Sequence, residues 1–258
     1  MFQLEEQTVL PSPPNRLEGT VSIVTGASGG LGSAIADRLI AEGSTVACLD
    51  VKEHTDPNGT YKRDHFFKCD ITDAAAVESV VDDIAEQFGG IDILVNSAGI
   101  LSGRESSLRT SSEKMHRYFD VNAVGPMHMV QSCYPQLKAS RWRGRVINVA
   151  SRTFFMGNPG QLAYIASKGA LTGMTRVLAK EFGPDRVTVN AVMPAQVATP
   201  GTREHSGEKA FSSTMHKQAI EEFVAPSHFA GLVAFLSSPD GALITGQSMI
   251  CDGGGLMR

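Results

Sequence analysis

What this chain lacks narrows its function before any motif is read. It has no basic excess. Its 23 Lys and Arg face 27 Asp and Glu for a formal net charge of -4, so the charge balance favours neither nucleic acid nor an acidic membrane as partner. Cysteine is sparse: Cys48, Cys69, Cys133 and Cys251 stand far apart, with no CxxC or histidine-rich spacing. That excludes the usual zinc and redox-pair patterns and fits reduced thiols in a cytoplasm. No apolar run approaches the roughly 20 residues that span a bilayer, so a soluble chain is expected. The opening MFQLEEQTVLPSPPNR lacks the basic start and apolar middle of a secretory signal, and Pro11, Pro13 and Pro14 oppose a helix. Residues 1–16 are therefore expected to form a flexible tail.

What remains is an ordinary globular composition. With 258 residues, 42% of them apolar and 19% charged, the chain can bury one substantial core. Strand and helix patterns then alternate. TVSIVT at 20–25 reads as a strand buried on both faces, and GASGGLG follows it into a helix over Leu31–Ala41. Gly26, Gly30 and Gly32 sit at that turn, where backbone amides and a positive helix end suit a pyrophosphate. The second strand, STVACLD, ends at Asp50, whose carboxylate can accept from ribose hydroxyls and repels a 2′-phosphate. NAD is thus favoured over NADP; Gly29 supplies no cation there, while Lys52 softens the preference.

A polar loop is expected over 53–63, and FFKCD reads as a short strand ending at Asp70, which either reaches adenine or caps the next helix. Val77, Val80, Val81, Ile84 and Phe88 recur at helical spacing until Gly89 and Gly90 stop them. IDILV at 91–95 is a fourth strand, running into the small residues NSAG at 96–99. A helix around 115–133 carries Asn122, either a satisfied structural amide or part of a polar chain toward the site. VINVAS, VTVNAV and SMICDGG read as further strands, and Phe229, Leu232, Val233 and Leu236 form the apolar face of a helix over 227–237. The expected fold is one doubly wound α/β domain over residues 17–258, with a parallel sheet of about seven strands and helices on both faces.

The chemistry concentrates between Ser151 and Lys168. Tyr164 and Lys168 lie four residues apart, one helical turn, so their side chains share a face. An ammonium beside a phenol favours the phenolate and draws its pKa down from about 10. Ser151 emerges at a strand's carboxyl end, where open α/β sheets bind ligands.

These features together resemble the short-chain dehydrogenase/reductase family over roughly residues 17–254. The resemblance rests on TGASGGLG at 25–32, Asp50, Asp70, NSAG at 96–99, Asn122, Ser151 and YIASK at 164–168. It implies a catalytic tetrad of Asn122, Ser151, Tyr164 and Lys168, with Tyr164 as general acid and base in interconverting a secondary alcohol and a ketone. Lys168 then also holds a ribose, and Asn122 positions a water. Coenzyme contacts implied are Gly26, Ser28, Gly30, Leu31, Gly32, Asp50, Asp70, Ile71, Asn96, Ala98, Gly99, Tyr164, Lys168, Pro194, Val197 and Thr199. A homotetramer is implied as well. Two departures stand out: NSAG replaces the family's NNAG, and Ala195 follows Pro194 where the family has glycine.

Residues 195–224 match a segment that covers the substrate in the family, so Phe211 and Met215 either line the pocket or pack ordinarily; His205 and His216 read as surface residues. Phe154, Phe155 and Met156 after Ser151 point to an aromatic or cyclic substrate, or to packing beneath the loop. Two alternatives are a 3-oxoacyl-(acyl-carrier-protein) reductase, which normally employs NADPH, and a non-catalytic NAD-sensing protein, which normally lacks part of the tetrad.

Overall fold

Apolar strands that are not alternating in polarity must be covered on both faces, and that requirement organises the molecule. The computed structural model describes residues 15–52, 65–101, 104–197, 199 and 208–257. Its strands are β1 (Val21–Thr25), β2 (Thr45–Asp50), β3 (Phe66–Lys68), β4 (Ile93–Asn96), β5 (Arg145–Val149), β6 (Thr188–Pro194) and β7 (Ser248–Cys251). They pair in the order β3-β2-β1-β4-β5-β6-β7, and every pairing is parallel. The doubly wound sheet expected from the sequence is therefore present. Its order reverses between β1 and β4, so their carboxyl ends open a crevice.

The helices are α1 (Gly30–Ala41), α2 (Ala74–Phe88), α3 (Ser112–Phe119), α4 (Gly125–Ala139), α5 (Thr153–Met156), α6 (Leu162–Phe182), α7 (Glu208–Met215) and α8 (Pro226–Ser237). Adjacent strand residues face opposite sides. Ile23, Leu94 and Val146 pack with Val77 and Ile84 of α2 and Met129 of α4, while Val24, Val95 and Ile147 pack with Ile35 of α1 and Phe229 of α8. Asp73 begins α2 by accepting the amides of Ala75 and Ala76, and Gly89 ends it in the left-handed region at φ 83°.

Three expectations change. The helix expected around 115–133 is two helices joined by a π turn over Asp120–Val124. Pro126 has no amide hydrogen to give the carbonyl of Asn122 four residues back, and the amide of Gly125 instead reaches Asp120, five back. The tail cannot begin loosening at residue 16, because Arg16 donates to both carboxylate oxygens of Glu42 at 2.7 and 2.6 Å. Asp70 does not cap α2; its Oδ1 accepts from the amide and hydroxyl of Thr72 at 2.9 and 2.8 Å. The rest of the expected tail (1–14), the whole of the loop expected over 53–63, and residues 200–207, His205 among them, lie outside the described residues.

Candidate active site

The site forms where β1, β4 and β5 end. Thr25, the last residue of β1, turns its hydroxyl oxygen to the amides of Ser97 and Ala98 at 3.1 and 3.0 Å. That draws the NSAG turn against the glycine loop so closely that a Cβ on Gly26 would lie 2.7 Å from the Ala98 Cα, and Gly26 has φ +68°. On Gly32 a Cβ would meet the Gly26 carbonyl oxygen at 2.1 Å. Both positions demand glycine.

This loop delivers the start of α1 to the crevice. Gly29 caps α1 without a side-chain bond and the first turn holds no acidic residue, so the amides of Gly30, Leu31 and Gly32, which have no carbonyl to reach within the helix, remain donors for an anion. Asp50 closes the other side: its Oδ2 accepts the Ser28 amide at 3.0 Å and its Oδ1 the Lys52 amide at 3.1 Å. Each oxygen keeps a lone pair for a further donor. These residues fit the pyrophosphate and ribose of a dinucleotide coenzyme.

Asn96 and Ile71, both expected coenzyme contacts, turn their side chains into the scaffold. The Asn96 side chain turns into the sheet, donating from Nδ2 to Asn148 Oδ1 at 2.9 Å, and Asn148 in turn donates to Thr175 Oγ1 at 2.9 Å. Ile71 packs in the core and its carbonyl meets His128 Nδ1 at 3.0 Å. Ala98 lies against Gly26, and Gly99 against Asn122 and Lys168.

Past Gly99 lie the four positions that the family resemblance makes reactive. Asn122 is fully buried within the π turn, accepting the Ile100 amide at Oδ1 (3.0 Å) and donating from Nδ2 to Ser167 Oγ (3.0 Å). Lys168 is buried and donates from Nζ to the Val149 carbonyl, at the end of β5, at 2.8 Å. A Cβ on Gly99 would stand 3.0 Å from Asn122 Oδ1 and 3.3 Å from Lys168 Nζ. Ser151 is buried, its Oγ 2.8 Å from Thr153 Oγ1, and it hydrogen-bonds the Tyr164 phenol.

The electrostatics differ from the sequence expectation. Burial pushes the Tyr164 phenol up, the Ser151 hydrogen bond pulls it down, and the Tyr118 phenol adds a smaller push, leaving the pKa above the ordinary 10.0. Lys168 does not lower it here. Burial without a counter-ion depresses the Lys168 ammonium itself from 10.5 to about 8, and its contact goes to a carbonyl.

The bulky residues after Ser151 divide. Phe155 packs against Ala150, Ala191 and Met193, the packing alternative of its two expected places. Phe154 lies over Gly169 of α6, where a Cβ would fall 2.9 Å from its ring, and Met156 is exposed. Val197, Thr199 and Phe211 are buried, and Met215 is half-buried. Pro194 ends β6, and the Ala195 amide donates to the Cys251 carbonyl at 3.1 Å. His216 is exposed as expected. Tyr118 was not singled out by sequence, yet its ring meets Tyr164 edge-on, with centroids 6.4 Å apart, and its hydroxyl donates to the Leu101 carbonyl at 2.8 Å. Its position four residues before Asn122, on the same helical stretch, was the available signal.

Comparison with known proteins agrees with this architecture. A family model described as enoyl-(acyl carrier protein) reductase matches residues 26–255. A 3-oxoacyl-(acyl-carrier-protein) reductase of Thermotoga maritima is 35% identical over 246 residues, 93% of this chain and 98% of that protein. An L-2,3-butanediol dehydrogenase of Corynebacterium glutamicum is 31% identical over 255 residues, covering 91% and 97%. The ligand-free aldohexose dehydrogenase of Thermoplasma acidophilum superposes with a TM-score of 0.87 at 32% identity, covering 95% of this chain and 97% of that one.

Proposed function

The chain belongs to the short-chain dehydrogenase/reductase family and is an oxidoreductase, and from that premise we propose that it uses NAD to interconvert a secondary alcohol and a ketone. The observation that carries the reading is the pairing of Ser151 with Tyr164 just past β5, together with Asn122 and Lys168 beside Gly99, Lys168 being tied to the last residue of β5. When bound, the nicotinamide ring supplies the acceptor or donor of a hydride.

The protein's own part is proton management at one oxygen. Ser151 Oγ and the Tyr164 hydroxyl already hydrogen-bond, so a substrate oxygen placed between them is held by both. Tyr164 takes the proton from an alcohol or gives it to a ketone. In the free crevice the phenol is the protonated form, ready to donate, and a cation beside it is needed to favour the phenolate. Lys168, titrating at about 8, is the residue able to supply that charge near neutral pH. Asn122, fixed by Ile100 and Ser167, holds the π turn next to Lys168 and leaves its own carbonyl without the Pro126 amide, an acceptor for a water. In this reading Glu208–Met215 covers the substrate; Thr214 Oγ1 donates to Gln196 Oε1 at 3.0 Å, tying α7 to the loop after β6.

Asp50 supports NAD, because a carboxylate at the end of β2 beside the glycine loop repels a 2′-phosphate and Gly29 offers no cation. The exposed Phe154 and Met156 support an aromatic or cyclic substrate. A second reading, reduction of a 3-oxoacyl thioester with NADPH, is favoured by relatives carrying that name. We further place the protein in the cytoplasm as a homotetramer. Its four free thiols support the first, and exposed Leu162, Val177 and Leu243 support the second, which light scattering tests. No described helix is long and apolar enough to cross a membrane. Coenzyme reduction by NAD and NADP across a panel of secondary alcohols, run beside oxidation of both reduced coenzymes by a 3-oxoacyl thioester, decides between the readings. Faster turnover of the thioester with NADPH overturns the first.

A further inference from the structure

The C-terminal run Asp252–Gly253–Gly254–Gly255 has no role in the proton chemistry, yet it is built around the residue next to Ser151. Asp252 and Arg152 are both buried, and Arg152 Nη1 donates to Asp252 Oδ2 at 2.7 Å. Asp252 Oδ1 accepts the amides of Gly254 and Gly255 at 3.0 and 3.1 Å, so the carboxylate holds its own turn and the guanidinium together. Each glycine has a reason. A Cβ on Gly255 would lie 2.6 Å from Arg152 Nη1, one on Gly253 2.6 Å from Gln218 Nε2, and one on Gly254 3.0 Å from Ala219 Cβ.

The turn therefore grips two parts of the crevice at once. On one side it holds Arg152, whose carbonyl accepts the Phe155 amide at 3.0 Å and whose chain neighbour is Ser151. On the other it holds the segment after α7: the Gly253 carbonyl accepts the Ile220 amide at 2.9 Å, and buried Gln218 donates to the carbonyls of Ile220 and Glu222 at 3.0 and 2.7 Å. A surface turn has no use for a buried ion pair, which costs desolvation on both partners and brings little net stability. A catalytic hydroxyl that must stay in register with a phenol does.

We propose that Arg152 and Asp252 are positioning residues that fix the Ser151 hydroxyl against Tyr164 and set the segment after α7 in register with it. This rests on the functional reading above, so the test includes a measurement that needs no turnover. Tyrosinate absorbance titration, taken as the difference from the matching Tyr164→Phe background, reports the Tyr164 phenol alone. Tyr118 on α3, which meets its ring, and Lys168, one turn along α6, are left unchanged.

Asp252→Asn keeps the shape and the amide acceptor but weakens the pair, and Arg152→Met leaves Asp252 its two amides. In either variant the Tyr164 titration is expected to move up in the same direction as in Ser151→Ala, by at least about half as much, because a displaced Ser151 no longer favours the phenolate. Turnover is expected to fall about 10²-fold, as for a reacting group misplaced by about 1 Å. Affinity for NADH, read by fluorescence, is expected to stay within about threefold. An unmoved Tyr164 titration in a folded variant overturns the proposal whether or not a substrate is known, and so does unfolding of both variants, which makes the pair purely structural. A shifted titration in a protein that turns over no substrate faults the functional reading and leaves the positioning intact.

Discussion

Replacing Lys168 with methionine should stabilise this protein while disabling it. The ammonium is buried with one hydrogen bond, to the Val149 carbonyl, and burial holds its pKa at about 8 instead of 10.5. At 1.36 kcal/mol per pKa unit that gap makes the buried charge cost roughly 3 kcal/mol below pH 8. Methionine removes the charge and nearly conserves the volume, but strands the Val149 carbonyl, which costs about 1 kcal/mol. The net gain at pH 7 is then about 2 kcal/mol, or a rise in Tm of about 4–8 °C for a chain of this size. The pH dependence fixes the cause. Between pH 8 and 10.5 the unfolded chain binds more protons at this residue than the folded one, so wild-type stability climbs through that window and the variant's advantage should be nearly gone by pH 10. Thermal and urea denaturation of both proteins at pH 7 and 10 measure it. A variant that is less stable at pH 7, or whose advantage is the same at both pH values, refutes the claim that a desolvated ammonium stands at the centre of the site.

Three other outcomes follow from the same geometry. Gly32→Ala places a methyl 2.1 Å from the Gly26 carbonyl oxygen, and overpacking of about 1–3 kcal/mol at the loop should weaken NADH binding about tenfold or more, whereas Gly29→Ala, at 3.3 Å from the same oxygen and in an extended backbone, should change it less than threefold by fluorescence titration. Asp50→Ala removes a charge-assisted acceptor worth about 1.5–3 kcal/mol, so the ratio of kcat/KM with NADP to that with NAD should rise about tenfold or more in steady-state kinetics. Burial raises the Glu42 carboxyl, but the hydrogen bonds from Arg16 and Arg38 outweigh it and hold the pKa below its usual 4.5. Glu42→Gln should therefore lose about 2 kcal/mol at pH 7, with the difference shrinking in acid as the wild-type carboxylate protonates.

The sheet was legible because each strand is a short apolar run bounded by a glycine or acidic turn, and because strand and helix periods alternate along the chain. Asp50, Ser151 and the Tyr164–Lys168 pair were legible because their positions follow from where strands end and helices turn. What sequence did not supply was direction. The Asn96 side chain points to Asn148 through the sheet, and nothing local in the sequence fixes which way a strand-end side chain turns. Phe155 and Phe154 are neighbours of identical chemistry, yet one fills the core over Met193 and the other covers Gly169. The Arg152–Asp252 pair joins residues 100 positions apart, and no periodicity carries such a contact. The phenol's pKa departs from the sequence expectation for a related reason: spacing puts Lys168 on the same face as Tyr164, but its long side chain ends on the Val149 carbonyl.

The central claim is that one phenol moves the proton. Tyr164→Phe deletes that oxygen and leaves a ring of the same shape against Tyr118. With a substrate found by the panel, the variant should bind NADH within about threefold of wild type and lose at least about 10²-fold in kcat, the scale of general acid–base catalysis. Turnover within tenfold of wild type, with coenzyme affinity intact, would contradict the account.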